Sequence, residues 1–138
     1  MTKYSELSNF EINKLIADAE GYAYEIGIHL PSSKPQNIQD YQYINKKVTM
    51  NEKFWAHIDY CQFGKDAFNL MIENGISLIS HSKNSNGVTF YSAVSDFAEC
   101  KIHVDHENPC RAIAECYLLM KDECINDIEL GEKLCETN

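Results

Sequence analysis

Between residues 64 and 121 the hydrophobic positions change their period twice, from a helical repeat to strict alternation and back to a helical repeat. The first helical repeat is predicted to end at Gly75, because glycine adopts the positive φ of a helix C-cap at little cost. Its predicted buried face consists of four apolar residues: Ala67, Phe68, Met71 and Ile72.

Three alternating stretches follow this helix and predict β-strands at residues 76–81, 88–94 and about 99–104. The first two are joined by turn residues that end in Asn86 and Gly87, which tolerate the positive φ values of a hairpin. The short connections between successive strands predict an antiparallel meander. In the third strand, the inward-facing positions are predicted to be Cys100, Ile102 and Val104.

A second helix is predicted to begin at Asn108 and Pro109, because asparagine caps free backbone N–H groups and proline at the first position loses no hydrogen bond. The order helix, three strands, helix over residues 58–121 predicts an α+β fold of two layers. Its antiparallel sheet is expected to have three to four strands, with the helices packed on one face. The apolar stripe of the second helix consists of Ala112, Ile113, Cys116, Tyr117 and Met120.

Residues 1–57 are predicted to add an N-terminal helix and an insert to this unit. Ser8 and Glu11 fit a capping box at the start of the helix, and Gly21 is predicted to end it. Alternation over residues 22–30 predicts a half-buried strand, which is followed by a loop. The predicted buried face of the helix consists of Ile12, Leu15, Ile16 and Ala19.

Two further segments have weaker patterns. Residues 41–50 indicate at most a weak strand near Val48, and residues 54–60 lead into the central unit without an assigned element. A short terminal helix is predicted within residues 125–134. The chain is expected to form a single domain over residues 1–138, whose parts are residues 1–57, residues 58–121 and a tail at 122–138.

The charge balance narrows the choice of partners. The chain carries 12 Lys and Arg residues against 21 Asp and Glu residues, for a formal net charge of −9. Such a charge repels the phosphates of nucleic acid, so direct nucleic-acid binding is not expected, whereas it suits a protein that meets a basic surface on another protein. No apolar run approaches the roughly 18 residues that span a bilayer, and no signal peptide is recognisable. We therefore expect a cytoplasmic protein, without membrane association, whose six cysteines are reduced.

One cluster contains the residue types that bind zinc. Cys and His are common zinc ligands, but the spacing in this cluster does not fit a zinc knuckle. On a strand, His103 would point away from Cys100, while Cys110 lies near a helix start that is expected to lower its pKa. The favoured interpretation is a strand end with solvent-facing histidines, so neither a metal nor another cofactor is expected. The runner-up metal site would consist of Cys100, His103, His106 and Cys110.

Two activities can be tested against the sequence. His57 and Cys61 are four residues apart and are candidates for a nucleophile pair, but neither a third group nor an oxyanion hole is visible. The helix, three strands, helix order also matches the double-stranded-RNA-binding fold, which needs a basic cluster at the start of its final helix. Arg111 is the only cation there. We therefore predict neither an enzyme nor an RNA-binding protein.

Aromatic residues offer a candidate binding surface. Tyr and Trp are enriched at protein–protein hot spots, although they are also ordinary strand residues. We select Tyr41, Tyr43 and Trp55 as a hypothetical interface patch.

Three blocks of the chain carry a family resemblance. They are residues 4–15, residues 59–78 and residues 108–120, the last of which opens on Asn108-Pro109-Cys110-Arg111-Ala112. All three resemble the NinX-like phage proteins, a family of unknown function, and the latter two also resemble the wider phage ABA sandwich domain. The chain departs from the family pattern in residues 22–51, which form an idiosyncratic insert, and at Cys110, where leucine is usual. The resemblance implies a small protein of a tailed phage or prophage, with no assigned catalytic residues.

The resemblance and the charge together lead to three hypotheses. The leading one is an acidic phage accessory protein that acts in the host cytoplasm by binding a host protein or a protein of a competing element, such as a nucleic-acid-binding defence complex. An anti-defence inhibitor, similar in action to an anti-CRISPR protein, is one version of it. The alternative is a small phage enzyme or metal-binding protein that uses Cys and His residues. The third is a structural module that forms a homodimer through the free edge of its sheet.

Overall fold

The chain folds into helices and two separate antiparallel sheets. The computed structural model describes residues 3–29, 41–48, 55–81, 89–96 and 101–136, with side chains of the last helix described as far as residue 122. The helices in these residues are α1 (Asn9–Glu20), α2 (Gly64–Glu73) and α3 (Pro109–Glu136). The first sheet contains β1 (Tyr24–Ile28), β2 (Gln42–Lys47) and β3 (Trp55–Ile58), and the second contains β4 (Ser77–His81), β5 (Phe90–Ser95) and β6 (Ile102–His106), each in chain order.

The second sheet and its two flanking helices confirm the predicted helix, three strands, helix unit. β4 pairs with β5 and β5 with β6, both antiparallel, so that Leu78, Ala93 and Val104 stand side by side on one face. Ala93, Ile102 and Val104 are buried on this face, as expected for the inward positions of β6. The predicted hairpin turn and Cys100 lie outside the described residues.

The helix α3 is the centre of the hydrophobic core. It packs against β5 and β6 and also against α1 and α2, and every residue from Arg111 to Leu118 is buried. The helix predicted within residues 125–134 is not a separate element, because α3 continues without interruption to Glu136. No helix within the described residues has the length and apolar character needed to cross a membrane.

The first sheet is the main departure from the predicted fold, which had a single sheet of three to four strands. β1 agrees with the strand predicted at residues 22–30. β2 ends before Val48, where only a weak strand was expected, and β3 occupies the segment to which no element was assigned. The fold is therefore α+β with two three-stranded antiparallel sheets across the described residues, and with helices packed against strands.

The ends of the helices follow their local signals, but two helix faces are rotated from the predicted ones. The Ser8 hydroxyl accepts a hydrogen bond from the Glu11 amide at 3.1 Å, and Gly21 and Gly75 have φ values of 79° and 65°. In α1 the buried face is Ile12, Asn13, Ile16 and Ala17, so Leu15 is exposed. In α2 the buried residues are Asp66, Ala67 and Leu70, while Phe68 and Ile72, which were expected in the core, are largely exposed.

Candidate functional site

Arg111 is buried at the start of α3 and holds the segment that precedes α1. Its Nε donates to Glu115 Oε2 at 2.8 Å, and its Nη1 donates to Asn9 Oδ1 at 2.7 Å. Nη2 donates to the carbonyl oxygens of Tyr4 and Leu7 at 2.9 and 2.7 Å. Because the guanidinium is enclosed in these contacts, the one cation predicted at this helix start is not exposed to a nucleic-acid phosphate.

The half-buried Asp59 carboxylate joins α1 to the turn between β3 and α2. Asp59 Oδ1 accepts hydrogen bonds from Asn13 Nδ2 at 3.0 Å and from the amides of Cys61 and Gln62 at 3.0 and 3.1 Å. Asn13 Oδ1 in turn accepts from the Tyr60 amide at 2.9 Å. The turn that leads into α2 is thereby fixed against the buried face of α1.

These two hydrogen-bonded groups border a cleft that we call the aromatic cleft. It has a volume of about 650 Å³ and is lined by the start of α1, by the first sheet and by the turn before α2. Asn9, Asn13, Asp59 and Arg111 all contribute to its lining. Its ring-bearing lining residues are Phe10, His29, Tyr41, Tyr43, His57 and Phe63.

Three of the rings contact one another in a row on one side of the cleft, the first pair tilted and the second pair edge to face. The ring centroids of Tyr43 and His57 are 4.3 Å apart, and those of His57 and Phe63 are 5.0 Å apart. Gly27, which pairs with Tyr43 across β1 and β2, makes room for the tyrosine ring, because a Cβ at this position would lie 2.2 Å from Tyr43 Cζ. The Tyr43 ring is therefore held over the glycine and cannot share that space with a side chain at position 27.

The hypothetical interface patch is partly gathered in this cleft. Tyr41 and Tyr43 both line it. Trp55 lies on the same face of the first sheet as His57, since the two are two residues apart on β3, but it does not contribute to the cleft lining. Sequence reasoning did not include His57 or Phe63 in the patch, because the strand that orients His57 was not recognised.

The candidate nucleophile pair is not assembled. The Cys61 side chain is fully buried, and its thiol lies 3.7 Å from the Asn9 carbonyl oxygen. Burial raises the pKa of Cys61 to about 12, so the thiol stays protonated at neutral pH. His57 instead has its ring between those of Tyr43 and Phe63.

The residues of the runner-up metal site are dispersed as far as they are described. His103 and His106 are three residues apart on β6 and so point to opposite faces of the second sheet. His106 Nδ1 accepts a hydrogen bond from the Asn108 amide at 2.9 Å. The pKa of Cys110, which the helix start was expected to lower, is instead raised by burial. Cys100 lies outside the described residues, within which no group of three or more His, Cys, Asp or Glu side chains is placed to hold a metal ion.

A chain of polar side chains crosses the other face of the second sheet. His81 Nε2 lies 2.7 Å from Ser92 Oγ, Ser92 donates to Asp105 Oδ1, and His103 Nε2 lies 2.6 Å from the same carboxylate oxygen. In a catalytic triad the serine donates to the histidine and the histidine to the carboxylate. Here the serine donates directly to the carboxylate and is itself buried. The arrangement therefore differs from a triad, and we interpret it as a structural link between the three strands.

Through this link, the free energy of unfolding is expected to rise as the Asp105 carboxyl ionises with increasing pH. The hydrogen bond from Ser92, followed by the contacts with His103, lowers the pKa of Asp105 below its usual value. A carboxyl whose pKa is lower in the folded state stabilises the fold above its unfolded pKa of about 3.9, and this contribution is lost as the pH falls through the folded value. We expect Asp105→Ala to shift the urea midpoint at pH 7 and to have a smaller effect near pH 3.

A double-mutant cycle provides the control for this prediction. Ser92→Ala removes the leading hydrogen bond, so Asp105→Ala added to it is expected to cost less than in the natural chain. Equal effects of Asp105→Ala at pH 7 and pH 3 would show that the carboxylate charge contributes nothing to the link.

The fold and the aromatic cleft define a small acidic α+β protein whose polar clusters, in the described residues, do not assemble into a recognised catalytic centre. The chain belongs to the family described as bacteriophage P22 NinX, whose model matches residues 3–121. This confirms the membership that the three sequence blocks predict. No curated protein and no solved structure gave a match to the chain.

Proposed function

We propose that this phage protein is an accessory protein that acts by binding another protein, and that the aromatic cleft is its binding site. The observation that carries the proposal is the row of contacting rings formed by Tyr43, His57 and Phe63 at the side of an open cleft. Rigid aromatic side chains contribute large contact areas at a small cost in conformational entropy, which is why they dominate binding hot spots.

The side chains around the three rings favour a polypeptide as the occupant. Asn9, Asn13, Gln42 and Gln62 line the cleft beside the rings. Their amide groups both donate and accept hydrogen bonds, so they match the alternating N–H and C=O groups of a peptide backbone. Apolar partner side chains would then pack on the rings, as in the apolar centre and polar rim of ordinary protein interfaces.

The net charge favours a partner with a basic surface. At −9 the chain would be steered towards a positively charged protein and repelled by nucleic acid. Proteins that bind nucleic acid carry such basic surfaces, so a nucleic-acid-binding defence complex of the host, or of a competing element, is the partner class that we propose. Inhibition of such a complex, in the manner of an anti-CRISPR protein, would follow from occupation of its basic groove.

The test compares a cleft variant with a matched variant elsewhere. The tagged natural chain, Tyr43→Ala and Phe68→Ala are used to capture partners from host lysate, and the captured protein is then purified for titration calorimetry. Tyr43→Ala is expected to weaken binding by about 2 kcal/mol, or roughly 30-fold, as for a hot-spot tyrosine. Phe68→Ala removes an equally large exposed ring on α2 and is expected to leave the affinity unchanged.

A second variant reaches the cleft without removing an aromatic group. Gly27→Val would displace the Tyr43 ring, since even a Cβ meets it at 2.2 Å, and should therefore weaken binding in a chain that still carries every ring. If no protein is captured in stoichiometric amount, or if Phe68→Ala abolishes capture while Tyr43→Ala does not, the aromatic cleft is not the binding site.

A further inference from the structure

We propose that β1 is a dimerisation edge, at which two copies of the chain pair their β1 strands antiparallel about a two-fold axis midway between the two Ile26 residues. In the first sheet β1 pairs with β2 only, so the other edge of β1 has no partner strand among the described residues. The proposal concerns self-association and is independent of partner binding in the aromatic cleft.

The hydrogen-bond pattern of the sheet identifies the backbone groups at the open edge. The His29 amide donates to Tyr41 and the Lys47 amide donates to Ala23, both within the register that pairs β1 with β2. In an antiparallel ladder the hydrogen-bonded pairs alternate, so the odd-numbered residues of β1 direct their N–H and C=O groups to β2. The even-numbered residues, which are Tyr24, Ile26 and Ile28, direct theirs to the open edge.

The sequence of β1 is self-complementary in this register. With Ile26 opposite its own copy, Tyr24 pairs with Ile28 of the second copy, and the three even-numbered residues can form about six inter-strand hydrogen bonds. All three side chains lie on one face of the strand, where Ile26 is 43% exposed and Ile28 is 53% exposed. Pairing therefore joins two short apolar stripes into one and satisfies the edge backbone groups at the same time.

Edge strands that avoid association usually carry a lysine, a proline or a bulge. The strand Tyr24–Ile28 contains neither lysine nor proline, and its register with β2 is continuous across all five residues. Glu25 is its one charged residue, and it would stand opposite Gly27 of the second copy, with the two Glu25 side chains as diagonal neighbours roughly 7–8 Å apart. These two carboxylates repel each other, as do two chains that each carry a charge of −9. Because salt screens this repulsion, the dimer should be more stable at higher salt.

Sedimentation of the full chain tests the edge. The natural chain is expected to form a species of twice its mass at micromolar to millimolar concentration, with a dissociation constant that falls as salt is added. Ile26→Lys places two like charges opposite each other across the proposed interface and should raise this constant about 100-fold or more. Ile79→Lys is the matched control, because Ile79 is 49% exposed on β4, an edge strand of the other sheet, and should leave the constant unchanged.

Disulfide trapping tests the register without depending on a destabilising charge. Residues in a hydrogen-bonded antiparallel pair have Cα atoms about 5.5 Å apart, within the range that a disulfide spans. Under mild oxidation Ile26→Cys should give a covalent dimer joined through position 26, whereas Ile28→Cys, which would not face its own copy, should give no more dimer than the natural chain. A natural chain that is monomeric throughout, a dimer lost in Ile79→Lys but not in Ile26→Lys, or equal trapping of the two cysteine variants would overturn the proposal.

Discussion

Replacing Arg111 by methionine is expected to lower the free energy of unfolding by about 3–5 kcal/mol, as for a buried ion pair from which one partner is removed. The guanidinium makes four hydrogen bonds, to Glu115, Asn9, Tyr4 and Leu7, and the Glu115 carboxylate beside it is almost completely buried. The variant removes the Arg111 cation from beside that carboxylate and takes one hydrogen-bond donor from each of the Tyr4 and Leu7 carbonyl groups, although Tyr4 keeps the Leu7 amide as a donor. Since a domain is stable by only about 5–15 kcal/mol, urea unfolding should show a large shift in midpoint.

Two controls separate the loss of the ion pair from a general effect of substitution. Lys14→Met removes a cation from an exposed position on α1 and should change stability by less than about 0.5 kcal/mol. Adding Glu115→Leu to Arg111→Met removes the buried carboxylate as well and should recover part of the loss. A loss below about 1 kcal/mol in Arg111→Met would contradict a structural role for the buried guanidinium.

The sequence predicted the ends of the elements best, because these ends depend on neighbouring residues. Asn108 caps α3 through a hydrogen bond of 2.9 Å from the Cys110 amide, as an asparagine before a proline indicates. Gly21 and Gly75 have the positive φ values expected for residues that end helices. Each of these predictions rests on a few consecutive residues, so it depends little on long-range packing.

The first sheet was largely missed because its strands are short and their partners are distant. β3 has four residues, Trp55–Ile58, which is too few for an alternating pattern to stand out from chance. β2 carries the polar run Asn45-Lys46-Lys47 on its last three positions, with only Ile44 fully buried. A strand of this composition is stabilised by pairing on both sides, which the local pattern does not reveal.

The rotated helix faces and the missed polar contacts have one physical cause. Hydrophobic periodicity counts only apolar residues, so the buried Asn13 was assigned to the surface of α1 and the predicted face turned towards Leu15. The partners of Asn13 and Arg111 lie 46 and up to 107 residues away in the chain. Of the residues that line the aromatic cleft, the predicted interface patch therefore included only Tyr41 and Tyr43, which were selected because they are tyrosines. That His57 and Phe63 lie beside them is evident only from the three-dimensional structure.

Replacing Asp59 by alanine is expected to lower the free energy of unfolding by about 2–4 kcal/mol, because hydrogen bonds to a charged group contribute about 1.5–3 kcal/mol each and the buried Asn13 amide loses its acceptor. One carboxylate oxygen accepts from the Asn13 side chain and from the amides of Cys61 and Gln62. Without it the turn before α2 is no longer held against α1. Phe63, which follows this turn, should then lose its fixed distance from His57.

Asp59→Asn is the matched variant, because its amide retains an oxygen that can accept from the same three donors. It should cost less than Asp59→Ala, and hydrogen exchange should locate the difference: the amides of Cys61 and Gln62 should exchange faster in Asp59→Ala and nearly at the natural rate in Asp59→Asn. The same ranking should appear in partner binding, since the turn positions Phe63 at one end of the row of rings. Equal exchange in both variants would mean that the turn is held by its backbone alone, and that the aromatic cleft does not depend on the carboxylate for its shape.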